Sequence, residues 1–291
     1  MRRWGLTFAV LGLVAIAAGL WITRARVTPP DQLAGLTGDA TRGAAVFWAA
    51  GCASCHKAGP DGDPLVLAGG QMFQTDFGVF HAPNISMDVD HGIGGWSVTD
   101  FASAVRLGTS PDGQHYYPAF PYASYARMTD ADVVDLWAFF QTLPASDTPN
   151  LPHALGFPFN LRASVGGWKW LYADTEFLTE TTTPEQDRGR YLVEALAHCG
   201  ECHTPRTALG GLDESRWMDG APNPSGQGRI PGLTPAHLDW NANDIAYYLE
   251  TGFTPEFDSA GGSMADVVTN MGKLTAEDRA AIAAYIKALP G

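Results

Sequence analysis

The chain has 291 residues, a formal net charge of −13 at pH 7 and a hydrophobic content of 45%, with 33 glycines and 20 prolines. This length is sufficient for two domains of roughly 100 to 150 residues each, and the composition excludes a fibrous or intrinsically disordered chain. The acidic balance makes nucleic acid an unfavourable partner and suits docking onto a basic face of another protein.

The first predicted element is an uncharged apolar segment at residues 4–23, preceded by Arg2 and Arg3. A helix rises about 1.5 Å per residue, so this one would reach roughly 30 Å, the thickness of the hydrocarbon core of a bilayer. The alternative is a cleaved signal peptide, but the sequence that follows lacks a small-x-small cleavage site. We therefore predict a membrane anchor over residues 1–27 and a tether over residues 28–35.

Two short motifs, CASCH at residues 52–56 and CGECH at residues 199–203, use all four cysteines of the chain. Cys-x-x-Cys-His is the attachment signature of c-type haem. A zinc ribbon would place its cysteine pairs roughly 15 to 20 residues apart, whereas a redox pair or disulfides would leave both histidines unexplained. The predicted haem attachment residues are Cys52, Cys55, Cys199 and Cys202, and the predicted proximal iron ligands are His56 and His203.

The two halves of the chain are copies of one unit. The pattern W-x3-D-x7-G at residues 96–108 recurs at 240–252, and the segment 129–144 recurs at 275–290. The stretch that leads into the cysteines is one residue longer in the second copy. The repeat predicts domain 1 over residues 36–147, a connector over 148–183 and domain 2 over 184–291.

Each unit is predicted to be α-helical, so the expected fold class is all-α. Gly43 and Gly189 lie on the helices before the two motifs, where a missing side chain would let the last helix of the unit cross closely. The last helices begin at Thr129 and Thr275, each followed three residues later by aspartate, a capping pattern. Their apolar residues then recur at spacings of three and four.

The segments RGAAVFWAAGCASCH, MTDADVVDLWAFFQTLP and RGRYLVEALAHCGECHTPR resemble cytochrome c domains, specifically those of the dihaem cytochrome c subunits of membrane-bound periplasmic dehydrogenases. The resemblance implies two tandem cytochrome c domains behind an N-terminal transmembrane helix, with two covalently bound haem c groups. The segment FPFNLRASVGGWKWLY resembles the connector of those subunits. Its Trp168, Trp170 and Tyr172 are expected to pack between the domains.

The resemblance also indicates the sixth ligand of the second haem. Met264 lies in GGSMADVV, where the similar subunits carry their axial methionine, and Met271 is the nearby rival. The first unit departs from this pattern, because the position that matches Met264 is Phe120, which cannot ligate iron.

Three arrangements are possible for the first haem. Met128 could ligate the iron, although it could equally be a hydrophobic staple on the last helix. His115 would give a bis-histidine haem of lower potential, and the third possibility is no protein ligand. The predicted axial ligands are His56, Met128, His203 and Met264.

These observations favour an electron-transfer protein over an enzyme. The expected partners are a dehydrogenase or quinol-oxidising complex on one side and a soluble cytochrome or oxidase on the other. Because c-type haems are attached on the outer side of the bacterial inner membrane, the haem domains are expected in the periplasm. The alternative is a dihaem peroxidase or oxidase that uses an open coordination position on the first haem.

Overall fold

The structure is a computed structural model that describes residues 2–223 and 228–291, without the side chains of residues 2, 3, 5 and 6. Within these residues the chain is helix-rich. The α-helices are α1 (Arg2–Ile22), α2 (Ala40–Ala49), α3 (Cys52–His56), α4 (Val98–Leu107), α5 (Tyr122–Tyr125), α6 (Asp130–Phe140), α7 (Ser164–Tyr172), α8 (Pro184–Arg190), α9 (Gly200–His203), α10 (Ala242–Thr251), α11 (Ser263–Met271) and α12 (Ala276–Ala288). The strands are β1 (Met72–Thr75), β2 (Gly78–His81), β3 (Ala154–Leu155), β4 (Ala221–Pro222) and β5 (Arg229–Ile230).

The N-terminal helix α1 carries exposed apolar side chains, and Phe8 and Leu20 are each 68% exposed. Across the described part of the chain, no helix combines the length and the apolar character needed to cross a membrane. The predicted transmembrane helix is therefore not supported. Met1 and the side chains of Arg2 and Arg3, which belong to that prediction, lie outside the described residues.

Each unit is held together by a close crossing of two helices, α2 with α6 and α8 with α12. A Cβ atom added to Gly43 would lie 2.0 Å from the carbonyl oxygen of Asp135, and one added to Gly189 would lie 1.9 Å from that of Ala281. Because only glycine permits such an approach, the predicted reason for these two glycines is confirmed.

The ends of the repeated helices are fixed by side chains. The hydroxyls of Thr129 and Thr275 accept hydrogen bonds at 3.1 Å from the backbone N–H groups of Asp132 and Asp278, which confirms both predicted helix starts. Helices α4 and α10 begin with full capping boxes and end at glycines with φ of 56° and 78°. The duplication read from the sequence thus extends to the caps.

The units differ just ahead of the second motif, where a π-helical segment, Tyr191–Leu196, follows α8. The N–H of Ala197 donates to the carbonyl of Leu192, five residues back, at 2.7 Å. A π turn holds one residue more than an α turn. It therefore accommodates the extra residue of the second copy without displacing the cysteines that follow.

Five short strands within the described residues form two small sheets, which the all-α prediction missed. β1, β2 and β3 form one antiparallel sheet in that order, and β4 pairs with β5. Gly78, at a φ of 124°, starts β2 directly after the hairpin turn. Strands of two to four residues are too short for an alternating pattern to identify them.

The connector packs against both units. The indole N–H of Trp168 donates to the carbonyl of Leu209 at 3.1 Å, and its ring lies 6.2 Å from that of Tyr122. Tyr172 packs on backbone of the second unit. Trp168 and Tyr172 thus lie between the units as predicted, whereas the prediction for Trp170 was wrong because its side chain is 63% exposed.

Candidate haem sites

The first cysteine pair and its histidine lie on one short helix. In α3, Cys52 and Cys55 are three positions apart, so both thiols share one face, and His56 is the last residue. Gly51 precedes the helix with a φ of 67°, a left-handed conformation that favours glycine. One rigid segment therefore supplies all three groups that haem attachment needs.

The second motif repeats this arrangement with one change. Cys199 caps α9, which carries Cys202 and ends at His203. His198 takes the place that Gly51 has in the first unit and adopts a φ of 42°. A histidine in the left-handed region is uncommon, so this side chain is held by its surroundings.

Both proximal histidines are oriented in the same way. Nδ1 of His56 lies 2.8 Å from the carbonyl oxygen of Pro83, and Nδ1 of His203 lies 2.8 Å from that of Pro231. A carbonyl only accepts, so Nδ1 carries the proton and donates, which leaves Nε2 with a free lone pair for a metal. Burial lowers the pKa of both imidazoles and keeps them neutral, as iron ligation requires.

The four cysteines form no disulfide with one another, so all four can attach haem. Before attachment, burial raises the pKa of Cys52 and Cys199 to about 12 and that of Cys55 to about 11, so these thiols are protonated at neutral pH. Over the described ranges, no three His, Cys, Asp or Glu side chains come together in a group that could hold a metal ion. The side chains therefore suit two covalent porphyrin attachments and do not form the zinc cluster considered above.

In the second unit, Met264 is the second residue of α11. Its side chain is half-buried and packs at the edge of the apolar core. Met271, at the other end of the helix, is 3% exposed and lies within that core. Of the two sulfurs, that of Met264 is the one placed at the boundary of the core.

In the first unit, the residue that matches Met264 is an aromatic one among other aromatics. The ring of Phe120 lies 5.8 Å from that of Tyr125 and packs against the core. Met128 is 3% exposed, and its repeat counterpart Leu274 is 7% exposed, so both are buried just ahead of a helix cap. The location of Met128 therefore suits a hydrophobic staple as well as a ligand.

His115 has no free ring nitrogen. Its Nε2 lies 2.8 Å from the carbonyl oxygen of Thr23, and its Nδ1 lies 3.0 Å from the ammonium of Lys169. A single tautomer satisfies both contacts, with Nε2–H as donor and Nδ1 as acceptor. Iron ligation by His115 would require the loss of one of them.

The first attachment helix packs directly on the second unit. The amide of Asn270 donates to the hydroxyl of Ser54 at 2.7 Å, and the ammonium of Lys57 pairs with Asp266 at 3.2 Å. Both partners lie on α11, the helix of Met264. The two sites therefore share one interface.

The two Cys-x-x-Cys-His motifs and the repeated helices around them match a known family. The cytochrome c family model matches residues 40–144 and 186–290, which covers both units. The chain belongs to the cytochrome c family. It consists of two tandem cytochrome c domains and carries two covalently bound c-type haems.

The relatives of this cytochrome c are dihaem cytochromes and dehydrogenase subunits. It is 58% identical to a "Diheme cytochrome c-type" protein of Cereibacter sphaeroides, over 100% of this chain and 99% of that one. It is 36% identical to the fructose dehydrogenase cytochrome subunit of Gluconobacter japonicus and 33% identical to the gluconate 2-dehydrogenase cytochrome c subunit of Pantoea cypripedii. The alignments cover 98% and 85% of this chain, and 59% of each subunit.

The prolines whose carbonyls orient His56 and His203 were not predicted from the sequence. Pro83 lies 27 residues after His56, and Pro231 lies 28 residues after His203. The nearly equal spacing relates the two prolines through the repeat, but it does not indicate that their carbonyls accept from the histidines.

Proposed function

We propose that this cytochrome c relays electrons between two redox proteins and has no substrate chemistry of its own. Each haem supplies one reversible one-electron couple when bound. The observation that carries the proposal is the shared interface, in which Ser54 within the first motif and Lys57 directly after it contact Asn270 and Asp266 of the second unit. Two redox centres attached at one rigid interface suit a relay.

In this proposal the chain fixes and tunes its cofactors. The cysteines hold each porphyrin edge, while the bonds to Pro83 and Pro231 keep Nε2 of His56 and His203 available. We propose Met264 as the sixth ligand of the second haem, because the sulfur of Met264 lies at the core boundary. A thioether ligand opposite histidine raises the reduction potential.

For the first haem, the engaged nitrogens of His115 disfavour it as a ligand. The remaining possibilities are Met128, which we propose, and an open position. Phe120 in place of methionine favours the second candidate function, a dihaem peroxidase or oxidase, because such an enzyme needs a position for its substrate. The occupancy of this position therefore separates the two functions.

Optical and electron paramagnetic resonance spectra of the oxidised protein test this choice. A relay with Met128 as ligand should show two low-spin haems, and Met128→Ala should convert one of them to high spin, whereas His115→Ala should leave both low-spin. A wild-type protein in which the first haem is already high-spin would overturn the relay in favour of the enzyme.

We propose a dehydrogenase as the electron donor, because relatives over 30% identical are named as cytochrome subunits of fructose and gluconate dehydrogenases. A quinol-oxidising complex is the other donor considered, and a soluble cytochrome or oxidase would be the acceptor. The detergent-solubilised protein should retain a dehydrogenase through purification, and substrate of that dehydrogenase should reduce its haems. If the protein instead purifies with a quinol-oxidising complex and without a dehydrogenase, that complex would be the donor and the proposed donor would be wrong.

We further propose that α1 attaches the protein to the inner membrane with the haem domains in the periplasm. The support is the uncharged apolar segment of residues 4–23 and the exposure of its side chains, such as Phe8 and Leu20. Removal of residues 1–27, with a cleavable export signal in their place, should release a haem-loaded protein into the soluble periplasmic fraction. A full-length protein that is already soluble would refute the attachment.

A further inference from the structure

The left-handed histidine before the second motif points to a specific role. The equivalent residue of the first unit, Gly51, adopts the same region at no steric cost, whereas His198 does so at a φ of 42°. The imidazole reaches across the interface, since a Cβ added to Gly51 would lie 3.9 Å from its Nε2. The second unit therefore places a ring from beside Cys199 against the residue that precedes Cys52.

Tyr125 completes the contact from the side of the first unit. Its ring meets that of His198 edge to face, with 5.6 Å between centroids and 75° between planes. Its hydroxyl donates to the carbonyl of Ala50 at 2.6 Å, and it is 5% exposed. The two rings thus form a continuous, packed connection between the chain just before Cys52 and the chain just before Cys199.

Tyr125 lies close to both motifs. Its hydroxyl bonds to the carbonyl of Ala50, two residues before Cys52, and the carboxylate that acts on its phenol is Glu201, inside the second motif. Burial, with Glu201 as a lesser cause, raises the pKa of the phenol well above the ordinary value. The phenol remains protonated and neutral in this position.

We propose that Tyr125 and His198 form the bridge through which the two haems are electronically coupled, an inference that rests on the relay function proposed above. With haem bound at both sites, one electron would move from the reduced site to the oxidised one, and Tyr125 and His198 would provide the packed path between the two attachment segments. No bond forms or breaks, no proton is exchanged, and both side chains keep their oxidation state. The bonds of Ser54 and Lys57 to α11 hold the same interface in place without supplying a ring.

The test compares variants of the bridge with a variant of the surrounding interface. His198→Asn keeps a residue that tolerates the left-handed conformation but removes the ring, and Tyr125→Leu removes the other ring. Tyr125→Phe retains the ring and loses the bond to Ala50. Tyr191→Phe, which keeps its ring but loses the inter-unit bond that its hydroxyl accepts from the N–H of Thr129 at 3.1 Å, is the matched control. The rate at which the haems reach redox equilibrium is followed by absorbance after flash reduction, together with both reduction potentials and the thermal unfolding midpoint.

We expect His198→Asn and Tyr125→Leu to slow the inter-haem phase several-fold at unchanged potentials, Tyr125→Phe to slow it less, and Tyr191→Phe to match wild type. Equilibration of His198→Asn at the wild-type rate, or equal slowing in Tyr191→Phe, would overturn the bridge. If Tyr125→Leu does not fold, His198→Asn and Tyr125→Phe decide the matter. A wild-type protein without any inter-haem phase would instead refute the relay itself.

Discussion

The sharpest stability prediction concerns the helix crossing at Gly43. A Cβ at this position would lie 2.0 Å from the carbonyl oxygen of Asp135 and 2.8 Å from the Cβ of Phe139, whereas ordinary contact begins at 3.4 Å. Overpacking of a core costs about 1–3 kcal/mol. The obstacle here is backbone, so α2 must move, and this strains the pair of bonds from Arg42 to Asp135 at 2.6 and 2.8 Å.

We therefore expect Gly43→Ala to cost about 3 kcal/mol, at the upper end of that range. At about 2–4 °C per kcal/mol for a chain of this size, the thermal midpoint should fall by about 6–12 °C. Circular dichroism of the oxidised protein measures it. The matched control is Gly167→Ala in α7, where no atom lies within 4 Å of the added Cβ and a helix interior favours alanine by about 1 kcal/mol. If Gly43→Ala has the same thermal midpoint as wild type, or if Gly167→Ala is destabilised as much as Gly43→Ala, the close helix crossing is not the reason for glycine at position 43.

Three further predictions follow from single contacts. Met264→Ala should remove the second haem's contribution to the methionine–iron charge-transfer absorption, leaving only that of a haem ligated by Met128, and should lower the potential of the second haem by on the order of 0.1 V. Met271→Ala should only destabilise the core, and an undiminished band in Met264→Ala would exclude Met264 as a ligand. Burial lowers the pKa of Lys169 to about 7, so above that pH the unfolded chain binds more protons than the folded chain, and the free energy of unfolding should rise between about pH 7 and 10. In denaturant titrations at several pH values, the unfolding free energy of Lys169→Met should depend less on pH than that of wild type, and the same pH dependence in both proteins would contradict the lowered pKa. Thr275→Ala removes the cap on α12 and should cost about 1 kcal/mol, lowering the midpoint by about 2–4 °C, whereas an unchanged midpoint would mean that the cap contributes nothing.

Much of the fold could be predicted because the repeat is visible in local patterns. The capping residues Thr129 and Thr275 and the crossing glycines Gly43 and Gly189 each act within their own helix or on one neighbour. The short strands could not be predicted because two to four residues are too few to show an alternating apolar pattern. Trp170 was misplaced because the side of α7 that faces the units is decided by packing and not by residue type.

The candidate sites likewise combine features that the sequence predicts with features that only folding creates. The motifs predict the attachment cysteines and proximal histidines, because covalent haem chemistry needs those residue types at that spacing. The carbonyls of Pro83 and Pro231, which accept from these histidines, lie in loops nearly thirty residues away. The presence of a proline in the sequence does not show where its carbonyl oxygen will point.

Local sequence patterns are sufficient to show that this protein carries two haem units of one ancestry, which differ at the matched positions Phe120 and Met264. How the units meet depends on contacts between residues far apart in the chain, so it appears only in the folded protein. Folding turns the extra residue before Cys199 into a π turn, occupies both nitrogens of His115 and brings His198 against Tyr125. None of these follows from local spacing, since each is a relation between surfaces that exist only after the chain has folded.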